Sequence, residues 1–117
     1  MKENPILEKS FAFALRIVKL YRYLVEEKKE FVLSKELLVA GTHIGKHVKA
    51  AVNAESRPTF ATEMGIARRK ASETQYWLQL LLFGDFITER ENDSMESDRS
   101  EIFKILTSIT ITSRGNE

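Results

Sequence analysis

The segment Leu37–Val52, LLVAGTHIGKHVKAAV, constrains this chain more than any other. Its seam, Leu37, Gly41, Ile44, Gly45, Val48 and Val52, recurs at the three- and four-residue intervals of a helix with one buried face. A glycine inside a helix costs about 0.5–1 kcal/mol relative to alanine. Gly41 and Gly45 on a core seam therefore imply another helix at close range, where a Cβ would stand in the way. His43 and His47, four apart, share a neighbouring face.

The rest of the chain reads as helices built to pack on this one. Asn4 caps a first helix over 5–27, with Pro5 at its first position. Its broad apolar face is expected along Leu7, Phe11, Ala14, Val18, Tyr21 and Val25, flanked by Phe13, Ile17, Leu20 and Leu24. Ser34 caps a second helix over 35–54 and Ser56 a third over 57–83. The third helix has the seam Phe60, Met64, Ala67, Ala71, Thr74, Leu78 and Leu81, whose alanines are expected to face Gly41 and Gly45. Gly84 stops it. An acidic connection over 85–98 follows, with Phe86 and Ile87 tucked under the bundle. The fourth helix is expected over 97–110, with Ile102, Ile105, Leu106 and Ile109 inward and a frayed tail behind it. The expected fold is all-α, an antiparallel up-down-up-down four-helix bundle, with residues 1–117 as one domain.

Composition removes several functional classes. The chain has no cysteine, which excludes disulfides, thiolate metal sites and a cysteine nucleophile. Apolar runs are short and broken by charge, and the N-terminus does not read as a signal peptide, so a cytoplasmic protein without membrane contact is expected. No Gly-x-Ser-x-Gly elbow, glycine-rich phosphate loop or paired carboxylates occur. The expectation is a protein that is not an enzyme and holds no cofactor. Glu36, His43 and His47 are the one combination with metal-ligand chemistry, lacking the glutamate beside the first histidine that zinc hydrolases use as a base. The commoner reading of such a histidine pair is surface or interface polarity.

Net charge is only +1, but it is unevenly spread. Residues 31–72 hold seven Lys/Arg against three acids, and residues 89–101 hold six acids against two Arg. Lys46, Lys49, Arg57, Arg68, Arg69 and Lys70 form the candidate nucleic-acid surface, because affinity for RNA or DNA rises with the number of phosphates neutralised. The competing reading makes them solvated faces, or partners of the acidic segment in a protein–protein assembly.

The combination of KEFVLSKELL, the GT and IG pairs of the second helix, and ETQYWLQLLL in the third resembles the 23S rRNA-intervening-sequence proteins. RIVKLYRYL in the first helix fits as well, so the resemblance runs from about Phe11 to Phe86. It implies a bacterial four-helix bundle that assembles into a homopentamer. It also implies kinship with the accessory variability determinant proteins of diversity-generating retroelements, whose basic surface binds nucleic acid. Glu36, Val39, His43, His47 and Ala50 stand where that group usually carries Gln, Arg, Ser, Asn and Glu. Arg69 and Lys70 replace its usual Lys-Glu pair. An ion-pair network between helices that relatives use is therefore not expected in the same form.

Overall fold

The computed structural model describes residues 4–115, and the order is α1 (Pro5–Glu26), α2 (Leu33–Val52), α3 (Arg57–Phe83) and α4 (Glu89–Gly115). Each helix packs on its neighbours in sequence, α4 closes back on α1, and the diagonal pairs stay apart. This is the up-down-up-down bundle, 46 Å long and 24 × 23 Å across. No helix among the described residues is long and apolar enough to cross a membrane.

Two helix starts follow the capping chemistry directly. Asn4 Oδ1 accepts the Leu7 N–H at 3.2 Å, and Ser56 Oγ accepts the Thr59 N–H at 3.2 Å. The other two starts differ from the sequence expectation. α2 begins at Leu33 rather than Lys35, and Ser34 lies inside it rather than capping it. Glu30 supplies the missing acceptors: Oε1 takes the Ser34 N–H at 2.6 Å, while Oε2 takes those of Leu33 at 3.0 Å and Val32 at 3.2 Å. Burial alone would raise this carboxyl, but those backbone N–H groups outweigh it and hold the group below its ordinary range.

α4 begins at Glu89, not near Ser97, and runs to Gly115 rather than ending at Thr110. A capping box starts it: Thr88 Oγ1 accepts the Glu91 N–H at 3.1 Å, and Glu91 Oε1 accepts the Thr88 N–H at 2.8 Å. The segment expected to be a connection is held by Met95, buried two helical turns before Ile102. At the far end Thr110 is buried, and the Ser113 hydroxyl donates to the Ile109 carbonyl at 2.8 Å. The tail expected to fray is thus helical as far as Gly115, although Ile111 and Thr112 are exposed, and the last two residues of the chain lie outside the described residues.

The core confirms the α3 seam and corrects that of α1. Met64, Ala67, Ala71, Thr74, Leu78 and Leu81 are all buried. On α1 the flanking stripe is the inner one: Phe13, Ile17 and Leu24 are buried, whereas Phe11 is 64% exposed. Full burial of a side chain of this size contributes about 1.5–3 kcal/mol, so the rotation of α1 is settled by the stripe that fits best. Val52, placed on the α2 seam, is also exposed, and Ala40 and Ala51 are buried in its stead.

The paired glycines face α1, not the alanines of α3. A Cβ on Gly41 would lie 2.6–2.9 Å from three side-chain carbons of Ile17, and one on Gly45 would lie 3.3 Å from the Ser10 carbonyl oxygen. Gly84 is likewise a matter of space: its φ is −85°, but a Cβ there would meet the Leu80 carbonyl oxygen at 2.8 Å. The left-handed residue of that turn is Asp85, at φ 66°.

Gly41→Ala is expected to destabilise the bundle by about 1–3 kcal/mol, less the roughly 1 kcal/mol gained in helix propensity, because Ile17 is enclosed and β-branched. Gly65→Ala, where a Cβ meets nothing within 4 Å, is expected to stabilise it by up to about 1 kcal/mol. Urea denaturation of the two variants checks both signs.

Candidate interaction surface

The run Arg68–Arg69–Lys70 does not form one patch. Successive residues on a helix point 100° apart, so Arg68 and Lys70 leave opposite sides of α3. Arg68 turns toward α4, where its Nε donates to Thr107 Oγ1 at 2.9 Å and its guanidinium lies 4.8 Å from the centre of the Phe103 ring. Arg69 is exposed beside a depression shared with Gly65, Ile66 and Thr110. Lys70 turns toward α2, and its Nζ pairs with Glu73 at 3.2 Å. Lys46, Lys49 and Arg57 are exposed, and with Arg69 they have no salt-bridge partner among the described residues.

The acidic segment does not pair with this basic set. Asp98 binds Arg16 at 2.6 Å and Glu101 binds Lys9 at 3.1 Å, both on α1. Glu96 serves a buried network that the sequence reading missed. Arg99, 5% exposed, donates from Nε to Glu96 Oε1 at 2.6 Å, from Nη2 to Oε2 at 2.7 Å, and from Nη1 to the Ala71 carbonyl at 3.2 Å. Gln75 Nε2 adds the fourth bond of the network, to Glu96 Oε2 at 3.0 Å. The Glu96–Arg99 spacing was the available signal, since residues three apart share a helix face.

The histidines go to separate uses. His47 Nδ1 lies 2.7 Å from Glu63 Oε2 across the α2–α3 seam. The His43 ring stands edge-on to that of His47, with centroids 6.2 Å apart. Burial first, then the charges of Lys46 and Lys70 and of His47, hold the His43 imidazole below its usual range, against the opposing pull of Glu73. Glu36 does not join them. It lines a groove of about 330 Å³ between α2 and α3, together with Val39, Ala40, Lys70, Glu73, Tyr76 and Trp77. Among the described residues no three His, Cys, Asp or Glu side chains are placed to share an ion.

Most of the large apolar side chains left exposed fall on two faces, with Phe31, Val52 and Ile111 exposed as well. On α1, Phe11, Leu15, Val18, Arg22 and Val25 follow one another at helical spacing, with Phe11 and Leu15 the most exposed of the apolar members. Val39 and Tyr76 line the α2–α3 groove and are exposed, as are Val32, seven residues before Val39, and Leu80 and Phe83, four and seven residues after Tyr76, with Phe83 reaching 80%. Tyr76 and Trp77 meet edge to face with centroids 5.1 Å apart. Trp77 packs partly on the core while Tyr76 faces out, the division that their adjacency requires. The outer ridge of α2, carrying exposed Lys35, Lys46 and Lys49, separates the two faces.

Comparison with known proteins agrees with the fold. The family model for the 23S rRNA-intervening sequence protein matches residues 2–108. A crystal structure from Bacteroides thetaiotaomicron, described as a protein with unknown function from the S23 ribosomal protein family, is 46% identical to this chain. It covers 90% of this chain and 97% of its own, with a TM-score of 0.88. No curated protein matches.

Arg99→Met is expected to lower stability by about 1–3 kcal/mol, since it removes two of the three side-chain hydrogen bonds that Glu96 accepts and the tie from α4 to the Ala71 carbonyl. Pairing it with Glu96→Gln should cost less than the sum of the single changes in the same denaturation experiment. His43 gives a pH dependence of definite sign. Its folded-state value is depressed, so its stabilisation is complete above the ordinary value of 6.5 and is lost as pH falls through the folded value. Relative to His43→Asn, the unmodified protein should lose stability on acidification below about pH 6.5, a difference read from melts across the pH range.

Proposed function

The chain belongs to the 23S rRNA-intervening sequence protein family, and from that premise we propose that it is a non-enzymatic, self-associating scaffold whose working form is a ring of identical bundles. The observation that carries this reading is the pair of separate apolar faces. Isolated exposed apolar residues are ordinary, but contiguous apolar faces mark interaction sites. Two unlike faces on one molecule favour a head-to-tail contact, in which the α1 stripe of one copy meets the α2–α3 face of the next. Such a contact closes into a ring when the rotation between copies divides the circle, and five copies is the number that the family resemblance implies.

Nucleic-acid binding is the second reading, favoured by Lys46, Lys49, Arg57 and Arg69, which keep their charges free of salt bridges among the described residues. Repetition around a ring would multiply that charge, and polyanion affinity grows with it. The partition of Arg68 and Lys70 to other duties makes the single bundle a weak binder on its own.

Light scattering behind size exclusion tests the first reading. The expected mass is five chains of 13.5 kDa, reduced to one by Phe83→Glu, which alters a side chain outside the core. A monomer at about 50 μM would overturn it. For the second reading, gel shifts with RNA and DNA near 50 and 200 mM salt should show binding that weakens with salt and is lost in Lys46→Glu/Lys49→Glu.

A further inference from the structure

The two faces are complementary in more than hydrophobicity. The α1 stripe carries one cation in its upper half: Arg22 is exposed between Val18 and Val25. Among the described residues it has no salt bridge or side-chain hydrogen bond. The α2–α3 face carries one notch, the groove of about 330 Å³ whose walls are Glu36 and Glu73 and whose corner is the Tyr76–Trp77 pair. Glu36 makes no side-chain hydrogen bond or ion pair among the described residues, and Glu73 is engaged only by Lys70. Two carboxylates against one ammonium leave the notch with one unmatched negative charge. No internal cation lies over Trp77 or Tyr76 among the described residues, so both rings are available to one from outside.

A guanidinium suits this notch better than an ammonium does. It is planar, stacks on an aromatic face, and presents parallel N–H donors to a carboxylate. We propose that Arg22 of a second copy inserts into the notch formed by Glu36, Glu73, Tyr76 and Trp77. The apolar residues on either side of Arg22 then lie on Val32, Val39, Leu80 and Phe83. This rests on the ring reading above and names the contact that sets its register. An apolar stripe alone can slide along an apolar groove. One buried charge with one place to go stops the sliding, and it disfavours pairing a face with its own copy, which would set Arg22 against Arg22 or acid against acid.

Charge exchange tests it. Arg22, Glu36 and Glu73 are all exposed, so their substitution leaves the core untouched. Arg22→Glu and Glu36→Lys are each expected to weaken association by at least about tenfold in light-scattering titrations. With Lys70 kept in place, the double variant Arg22→Glu/Glu36→Lys restores the charge balance and is expected to recover the unmodified mass. Trp77, the one tryptophan of the chain, gives an independent reading. Its emission in Arg22→Glu should match that of the diluted, dissociated protein. An oligomer that Phe83→Glu disrupts but Arg22→Glu leaves intact would overturn the notch contact while sparing the ring. Failure of the double variant Arg22→Glu/Glu36→Lys to recover the mass would overturn the pairing as well. A protein that is monomeric throughout would overturn both readings.

Discussion

The closeness of α1 to α2 is the constraint on which the remaining geometry hangs. Ile17 sits where the Cβ of residue 41 would be, and the Ser10 backbone lies just beyond the position that a Cβ on residue 45 would take. With the two backbones this near, α1 has little freedom to rotate. Phe13, Ile17 and Leu24 must then point inward, and Phe11, Leu15 and Val18 must point away. The apolar stripe on the outside of the bundle is therefore a consequence of the glycines on the inside of the next helix.

Electrostatics completes the bundle on the opposite side. α4 is docked by polar contacts as well as by its buried apolar side chains: Lys9 and Arg16 reach it from α1, and Arg68 reaches it from α3. The Glu96–Arg99 pair fastens it to an α3 carbonyl. Phe103 lies between the guanidiniums of Arg68 and Arg99, at 4.8 and 5.6 Å from its centre. These pairings consume much of the charge that looked available for partners. Of the basic residues on α2 and α3, Lys35, Lys46, Lys49, Arg57 and Arg69 are left without a salt bridge among the described residues. Removing Glu96 would leave the buried Arg99 guanidinium with the Ala71 carbonyl alone, so this part of the molecule tolerates little change.

Much of the fold was legible because local chemistry and periodicity agreed. The Asn4 and Ser56 caps, the α3 seam and the inward Ile102 and Leu106 all follow from residue type and spacing. The start of α4 was legible too, in the spacing of Thr88 and Glu91, but the acidic composition behind it obscured the signal. The Glu30 cap was not legible in the same way. Glutamate is an uncommon cap, and its reach to three N–H groups depends on the turn that Lys29, at φ 55°, makes before it.

By itself, the sequence determined that four amphipathic helices would form, where two of them begin, and that α2 must be approached closely at Gly41 and Gly45. Those properties depend on neighbours within a turn or two and on the presence or absence of a Cβ. Only the tertiary structure decided which helix makes the approach, which apolar stripe of α1 is buried, and which charges remain free. Apolar residues cover so much of α1 that its period is satisfied by either stripe, and helical spacing names the faces of a cation without saying what lies opposite. That Arg68 is held by α4, and Arg22 by no ion pair or side-chain hydrogen bond among the described residues, is settled by contacts between residues far apart in the chain.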